Sequence, residues 1–219
     1  MTVKKLSSLG FALILSVSAV FYNAGAWGQS SSTQKQGGDA GNVLIAYFTT
    51  SGVVDASLID PSIDATSQAS VVIPNMELIA RYIDETIGGA MFAIKTVKKY
   101  PVGFKELNAM GYEELNANAR PELSVHVEDM SVYKTVYLCY PNWCGTIPMA
   151  VATFLEEYDF SGKTIVASCT HFGSGFGSSV QDIRKLCPNS VVKEGFVGSG
   201  RNVREAKNDV VRWLNEFQL

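Results

Sequence analysis

Residues 136–159 read VYLCYPNWCGTIPMAVATFLEEYD and hold a strand pattern, a loop and a helix pattern in succession. The first five are apolar without alternation, which is typical of a strand covered on both faces. Pro141 opens the loop, and Pro148 stands at a first-turn position of a helix. Four apolar residues then recur at helical spacing: Val151, Phe154, Leu155 and Tyr158. A unit of this kind favours an α/β fold with a parallel sheet.

The same alternation extends from about Asn42 to Leu219. Four further segments predict strands, the second of them weakly: 43–48, 91–97, 164–168 and 191–197. Four others predict helices by spacing or propensity: 76–87, 104–118, 180–186 and 203–217. Asn75 is a candidate helix cap, and Asn202 with Glu205 resembles a capping box. Right-handed crossovers then give a doubly wound sheet, whose ligands bind beyond the carboxyl ends of the strands.

Three loops that follow predicted strands carry the polar and aromatic groups of a ligand site. They are Thr49–Gly52 (TTSG), Pro141–Thr146 (PNWCGT) and Thr170–Gly177 (THFGSGFG). Hydroxyls and free backbone N–H groups suit a phosphate, and glycines let the backbone approach a flat ligand closely. Aromatic side chains in the second and third loops can stack on a ring. The loops therefore predict a ligand with a phosphate at one end and an aromatic ring at the other.

The chain resembles the flavodoxin family, specifically its bacterial branch with a Pro-Asn-Trp-x-Gly-Thr-x-Pro-Met loop. Four segments carry the resemblance: Ile45–Thr49 (IAYFT), Tyr140–Met149 (YPNWCGTIPM), Phe154–Lys163 (FLEEYDFSGK) and His171–Gly177. The resemblance implies a five-stranded parallel sheet in the order 2-1-3-4-5, with FMN bound at the switch between β1 and β3.

The resemblance assigns the FMN phosphate to the first loop. Thr49, Ser51 and Gly52 match the first half of the family's phosphate motif. An insertion of about 53–74 follows, and the motif resumes at Asn75. Met76 replaces the final threonine, and Glu77 adds a negative charge that suits the helix dipole but repels a phosphate. The insertion is either a lid or partner surface, or a tolerated surface loop.

The second and third loops are assigned to the flavin ring. The resemblance implies cofactor-binding roles for ten of their residues: Pro141, Asn142, Trp143, Cys144, Gly145, Thr170, His171, Phe172, Gly173 and Gly175. Trp143 is expected beside the ring, with a place in the core as the alternative. Phe172 or Phe176 could cover the other face. His171 could donate to the ring, or it could hold its own loop by hydrogen bonds.

The four cysteines and two histidines offer little further chemistry. Cys139 and Cys169 stand near the ends of strands expected to be neighbours, so they are either a redox pair or small buried thiols. We expect Cys187 to be a small buried thiol. Cys144 lies in the adjacent loop. His126 has no supporting context, and neither histidine has a metal-ligand partner at a recognisable spacing.

The N-terminal segment has the layout of a secretory signal peptide. Residues 1–26 combine two lysines, an apolar run and a small-x-small site, and the run is short for a membrane span. Residues 27–41 are polar and rich in Gly and Ser, which predicts a flexible linker to a domain at 42–219. Cleavage would leave no stable membrane anchor and would change the net charge from −3 to about −5. The acidic balance gives no pull toward nucleic acid.

The leading functional hypothesis is a secreted or periplasmic FMN protein that carries electrons between a redox protein or small-molecule donor and an acceptor. A second hypothesis is an FMN-dependent NAD(P)H:quinone-type reductase, which needs an open site for a second substrate. A third is a flavodoxin-like binding module that has lost FMN, which the residues at positions 76 and 77 motivate.

Overall fold

The computed structural model describes residues 40–48, 50, 75–101 and 103–217, and these form one parallel five-stranded sheet. The strands are β1 (Val43–Phe48), β2 (Ala90–Ile94), β3 (Thr135–Pro141), β4 (Thr164–His171) and β5 (Val191–Ser199). Their order in the sheet is β2-β1-β3-β4-β5. This confirms the predicted fold class and places β1, β3 and β4 side by side.

Helices cover both faces of the sheet. They are α1 (Asn75–Ile87), α2 (Phe104–Asn116), α3 (Met149–Glu157), α4 (Ser179–Leu186) and α5 (Lys207–Glu216). One core cluster joins the sheet to α1 and α5, and the other joins it to α2, α3 and α4. No helix within these described residues is long and apolar enough to span a membrane.

The two core clusters explain why β3 is apolar at every position after Thr135. Val136, Leu138 and Tyr140 pack in the cluster of α2, α3 and α4. Tyr137 and Cys139 point to the opposite face and pack with α1 and α5. Because successive side chains of a strand alternate between faces, a strand with helices on both sides needs an apolar residue at each position.

Some local predictions were wrong or need adjustment. The Asn202 side chain makes no capping hydrogen bond, because Val203–Glu205 form a 3-10 turn and α5 begins only at Lys207. A second 3-10 turn at Ala40–Asn42 precedes β1 and includes the end of the predicted linker. The predicted signal peptide, the rest of that linker and the insertion at 53–74 lie outside the described residues.

The sheet register rules out a bond between Cys139 and Cys169. Cys139 lies opposite Ser168, and Cys169 lies opposite Tyr140, so the two thiols point to opposite faces. All four cysteines are free, and burial raises the pKa of Cys169 to about 12 and that of Cys187 to about 11. The structure therefore favours buried thiols over a redox pair.

Candidate functional site

The loops after β3 and β4 meet at the carboxyl edge of the sheet and form one hydrogen-bonded unit. The Asn142 backbone N–H donates to the Thr170 carbonyl oxygen at 2.7 Å, which extends the pairing of the two strands. The Asn142 side chain donates through Nδ2 to the Gly175 carbonyl oxygen at 2.9 Å. The structure thus brings together the second and third predicted loops.

The second loop is a two-residue β-hairpin. Trp143 and Thr146 exchange two backbone hydrogen bonds of 2.9 Å. Cys144 and Gly145 between them have φ values of 52° and 85°, and positive φ at both central residues is the requirement of a type I′ turn. The Gly145 carbonyl oxygen then accepts a hydrogen bond of 2.8 Å from the Ser178 N–H.

Gly177 allows the hairpin to approach the third loop this closely. A Cβ added at Gly177 would overlap the Gly145 carbonyl oxygen and would come within 3.0 Å of the Asn142 Nδ2 atom. Gly177 also has a φ of 56°, which side-chain-bearing residues rarely adopt. The two loops therefore depend on a glycine at this position.

Three other glycines leave open space at the level of the backbone. Gly145, Gly173 and Gly175 all have positive φ, and a Cβ added to any of them would meet no heavy atom within 4 Å. A flat ring could therefore approach the backbone of both loops without displacing protein atoms. This arrangement fits the ring of a flavin.

Trp143 packs against the core, which is one of the two places that the sequence left open. Its ring is half-buried and packs edge-to-face against Phe48 and Tyr100, with 5.3 Å between ring centroids in each pair. A Cβ added at Gly111 of α2 would lie 3.5 Å from this ring, so the helix passes close beneath it. Trp143 is anchored in the core on one side, and its remaining surface lies at the edge of the site.

The aromatic residues of the third loop differ in position. Phe176 packs against the core, whereas Phe172 is 62% exposed, with the Arg201 guanidinium 5.9 Å from its ring centroid. The structure thus leaves Phe172 available to a ligand. His171 accepts a hydrogen bond of 2.8 Å at Nδ1 from the Gly173 N–H, which supports the loop-holding role.

At the start of α1, which the resemblance assigns to the phosphate, the side chains of residues 75–77 have partners within the protein. Asn75 donates through Nδ2 to the Gly200 carbonyl oxygen at 2.8 Å. Thr170 is only 4% exposed, and its hydroxyl lies 3.1 Å from the buried sulfur of Met76. Glu77 pairs with Arg81 at 2.6 Å. The predicted ligands Thr49, Ser51 and Gly52 lie outside the described residues.

Asp182, in the first turn of α4, ties the two loops together and was missed from the sequence. Its carboxylate accepts hydrogen bonds of 2.7 Å from Thr146, Ser178 and Lys185. Partial burial acts to raise the pKa of Asp182, but these hydrogen bonds outweigh it and hold the pKa below its ordinary value. An acid in a first turn is common, so the sequence gave no specific signal for this role.

Tyr100 is a second residue that the sequence did not reveal. It packs on Trp143, and its hydroxyl donates to Glu114 of α2 at 3.0 Å. Burial raises the pKa of Tyr100, and the adjacent Glu114 carboxylate raises it further. Tyr100 thus packs against the Trp143 ring as a neutral phenol.

Comparison with known proteins agrees with this geometry. A family model described as Flavodoxin matches residues 76–217. A candidate flavoprotein from Bacteroides uniformis is 22% identical with a TM-score of 0.60, over 81% of this chain and 99% of that chain. Another from Bacteroides eggerthii is 22% identical with a TM-score of 0.56, over 77% and 97% of the two chains.

A flavoprotein from Lactobacillus acidophilus, solved in complex with FMN, is 15% identical with a TM-score of 0.56. It matches over 80% of this chain and 99% of that chain. These likenesses to solved structures show the fold. No curated protein matches the chain significantly. Because the family match spans more than half of the sequence, the chain belongs to the flavodoxin family.

Proposed function

We propose that the protein binds FMN at the carboxyl edge of β1, β3 and β4 and carries electrons. The observation that carries the proposal is the pair of cross-bonded loops, which hold three open glycines, the half-buried Trp143 and the exposed Phe172. FMN is the cofactor of the family, and the Lactobacillus acidophilus flavoprotein was solved with it.

The cofactor would supply reversible electron transfer, and the chain would supply binding and orientation. Gly145, Gly173 and Gly175 would admit the ring to the backbone, while Trp143 and Phe172 would contact its apolar surface. Asp182 would keep the two loops at a fixed separation through its three hydrogen bonds. His171, which accepts from the Gly173 N–H at Nδ1, would hold the third loop in shape.

We further propose that the protein works outside the cytoplasm. Support comes from residues 1–26, whose charged start, apolar run and small-residue site have the layout of a cleaved signal peptide. Expression of the full chain in a bacterium with a secretory pathway, followed by fractionation and mass spectrometry of the purified protein, tests this directly. An N-terminus near residue 27 is expected, and an exported or retained protein that keeps residue 1 would overturn it.

An FMN titration of that purified protein tests the binding step. We expect one FMN per chain, quenching of flavin fluorescence and a shifted visible spectrum. A colourless protein that leaves flavin fluorescence unchanged at micromolar FMN would refute the proposal.

The same titration tests the alternative that the chain is a flavodoxin-like binding module that has lost FMN. The observation that favours this alternative is the burial of Met76 against Thr170, at a position where the family motif has a threonine. A reductase would differ from a carrier by sustained NAD(P)H oxidation with a quinone as acceptor. A carrier loaded with FMN should show no such turnover.

A further inference from the structure

The segment that follows β2 forms a lysine-rich surface beside the candidate site. Residues 95–105 contain four of the chain's 18 Lys and Arg residues and none of its 21 acids. All four lysines are exposed, together with Val97 (56%) and Phe104 (72%). We call this surface the lysine rim, and it consists of Lys95, Val97, Lys98, Lys99, Phe104 and Lys105.

The lysine rim borders the proposed ring site through Tyr100. This residue lies in the middle of the segment, yet its side chain is buried, with ring centroids 5.3 Å from Trp143 and 5.7 Å from Phe48. The exposed residues on both sides of Tyr100 are therefore held at the same edge of the sheet as the hairpin.

The four lysines of the lysine rim take part in no direct ion pair within the part of the chain that the structure describes. Acids lie nearby at longer range: Glu114 accepts from the Tyr100 hydroxyl, the Glu106 carboxylate lies over Gly103, and the backbone carbonyl of Glu122 accepts from the Val97 N–H. Arg81 and Lys185, in contrast, are paired with Glu77 and Asp182, and Arg201 lies over the Phe172 ring.

We propose that the lysine rim is the docking surface for an acidic redox protein that exchanges electrons with the bound flavin. The proposal rests on the proposed function. The chain as a whole is acidic, with a formal charge of −3, so it repels an acidic protein from other directions. Exposed lysines without ion-pair partners among the described residues would steer such a partner to this edge, and Val97 with Phe104 would add apolar contact area.

The redox step in the complex is a one-electron exchange. A reduced partner loses one electron and is oxidised, while the FMN of this protein gains that electron and is reduced. No bond between the two proteins forms, and the partner leaves when the exchange is complete.

A plant-type [2Fe–2S] ferredoxin is a suitable acidic probe, because its low reduction potential favours electron donation. The experiment mixes reduced ferredoxin with the FMN-loaded protein at low ionic strength and follows flavin reduction by stopped flow. The rim variant is Lys99→Glu with Lys105→Glu. The matched control is Lys134→Glu with Arg184→Glu, which changes the net charge equally at exposed sites near the starts of β3 and β5.

We expect the rim variant to be reduced at least about tenfold more slowly than the parent, within the range of electrostatic steering. The control should stay within about twofold, and the difference should vanish in about 1 M salt, where charges are screened within roughly 3 Å. Equal slowing of the rim and control variants, or no slowing of either, would overturn the docking surface.

Two further measurements separate this inference from the proposed function. All variants should exchange electrons with a small neutral quinone at the parent's rate, which shows that FMN is bound and active. If the protein binds no FMN, the proposed function fails, and calorimetry with oxidised ferredoxin then tests docking alone. Weaker binding by the rim variant than by the control supports the docking surface, and equal binding overturns it.

Discussion

The two ends of the proposed flavin site use their polar groups differently. At the ring end, the loops after β3 and β4 hydrogen-bond to each other and leave Gly145, Gly173 and Gly175 facing open space. At the phosphate end, the side chains of Asn75, Met76 and Glu77 already have partners within the protein.

This difference indicates which end should supply the binding energy. A ring site built from backbone geometry survives the replacement of individual side chains, provided the glycines remain. A phosphate site depends on hydroxyls and helix N–H groups, and Met76 removes one hydroxyl while Glu77 adds an opposing charge. We therefore expect FMN affinity to depend more on the ring end, and the following predictions test that expectation.

Gly177→Ala should have the largest effect, because its Cβ would overlap the Gly145 carbonyl oxygen at a φ that already disfavours alanine. We expect a loss of about 3 kcal/mol or more in the free energy of unfolding, measured in urea. Gly162→Ala is the matched control, since Gly162 has a φ of 71° but open space, and should cost only about 1–2 kcal/mol. Similar losses in both variants would show that the two loops do not need their close contact.

Trp143→Ala should weaken FMN binding by about 1–3 kcal/mol, because an aromatic surface at the ring would be lost. Trp213→Ala is the control, since Trp213 packs on Tyr137 and Phe196 on the other face of the sheet. It should lower stability and leave FMN affinity unchanged in a fluorescence titration. Unchanged affinity in Trp143→Ala would mean that this residue belongs only to the core.

Asp182→Asn should lower stability by about 1–2 kcal/mol at neutral pH, because it weakens hydrogen bonds that join the loops. The pKa of Asp182 is depressed in the folded protein, so its contribution is present above the ordinary value of 3.8 and is lost as pH falls below it. Urea titrations at pH 7 and pH 3 should therefore show a gap between parent and variant that narrows in acid. A gap that is independent of pH would contradict this role.

The exposed pair of Asp209 and Arg212 provides a control for that pH dependence. Asp209→Asn also removes a carboxylate that forms an ion pair with a basic residue three positions later in a helix. This pair is exposed and remote from the loops. We expect a change of no more than about 0.5 kcal/mol at either pH.

Glu77→Gln should strengthen FMN binding by about 0.5–1 kcal/mol, because it removes a negative charge from the first turn of α1 and leaves Arg81 unpaired. Riboflavin lacks the phosphate, so its affinity should not change. Glu85→Gln near the other end of α1 is the control and should alter neither ligand. Equal gains for both ligands would place the phosphate elsewhere.

Cys144→Asn should have the smallest effect and should be favourable. Asparagine tolerates positive φ and is preferred before glycine in type I′ turns, whereas Cys144 holds a φ of 52° without that preference. We expect a gain of about 0.5 kcal/mol in the free energy of unfolding. A loss would show that the thiol contact near Gly111 matters more than the backbone conformation.

The residue pattern predicted the alternation of strands and helices, and the family resemblance predicted the strand order; the structure confirms both and explains the strength of each local pattern. β1, β3 and β4 are covered on both faces, so their patterns were unbroken. β2 lies at the edge of the sheet with only Ile94 buried, and its pattern was correspondingly weak. The buried positions of α2 include only Gly111, which explains its poor amphipathic pattern.

Contacts between distant residues could not be predicted from the sequence. Thr170 and Met76 are 94 positions apart, so nothing in either segment indicates that the threonine hydroxyl meets a sulfur instead of a ligand. The hairpin was also hidden, because Cys-Gly is not a usual type I′ pair. Asn202 and Glu205 matched a capping box by spacing, but the chain formed a 3-10 turn there.

The separation of the buried thiols onto two faces gives the protein a pair of built-in reporters of local opening. Cys139 can react with a thiol reagent only when the layer of α1 and α5 opens, whereas Cys169 reports on the opposite layer. The Cys169 thiol also donates to the Gly175 carbonyl oxygen at 3.5 Å, which couples it to the third loop. Labelling rates followed by mass spectrometry could thus measure the opening of each helical layer separately. Slower labelling of Cys169 alone would indicate that a ligand binds against the third loop.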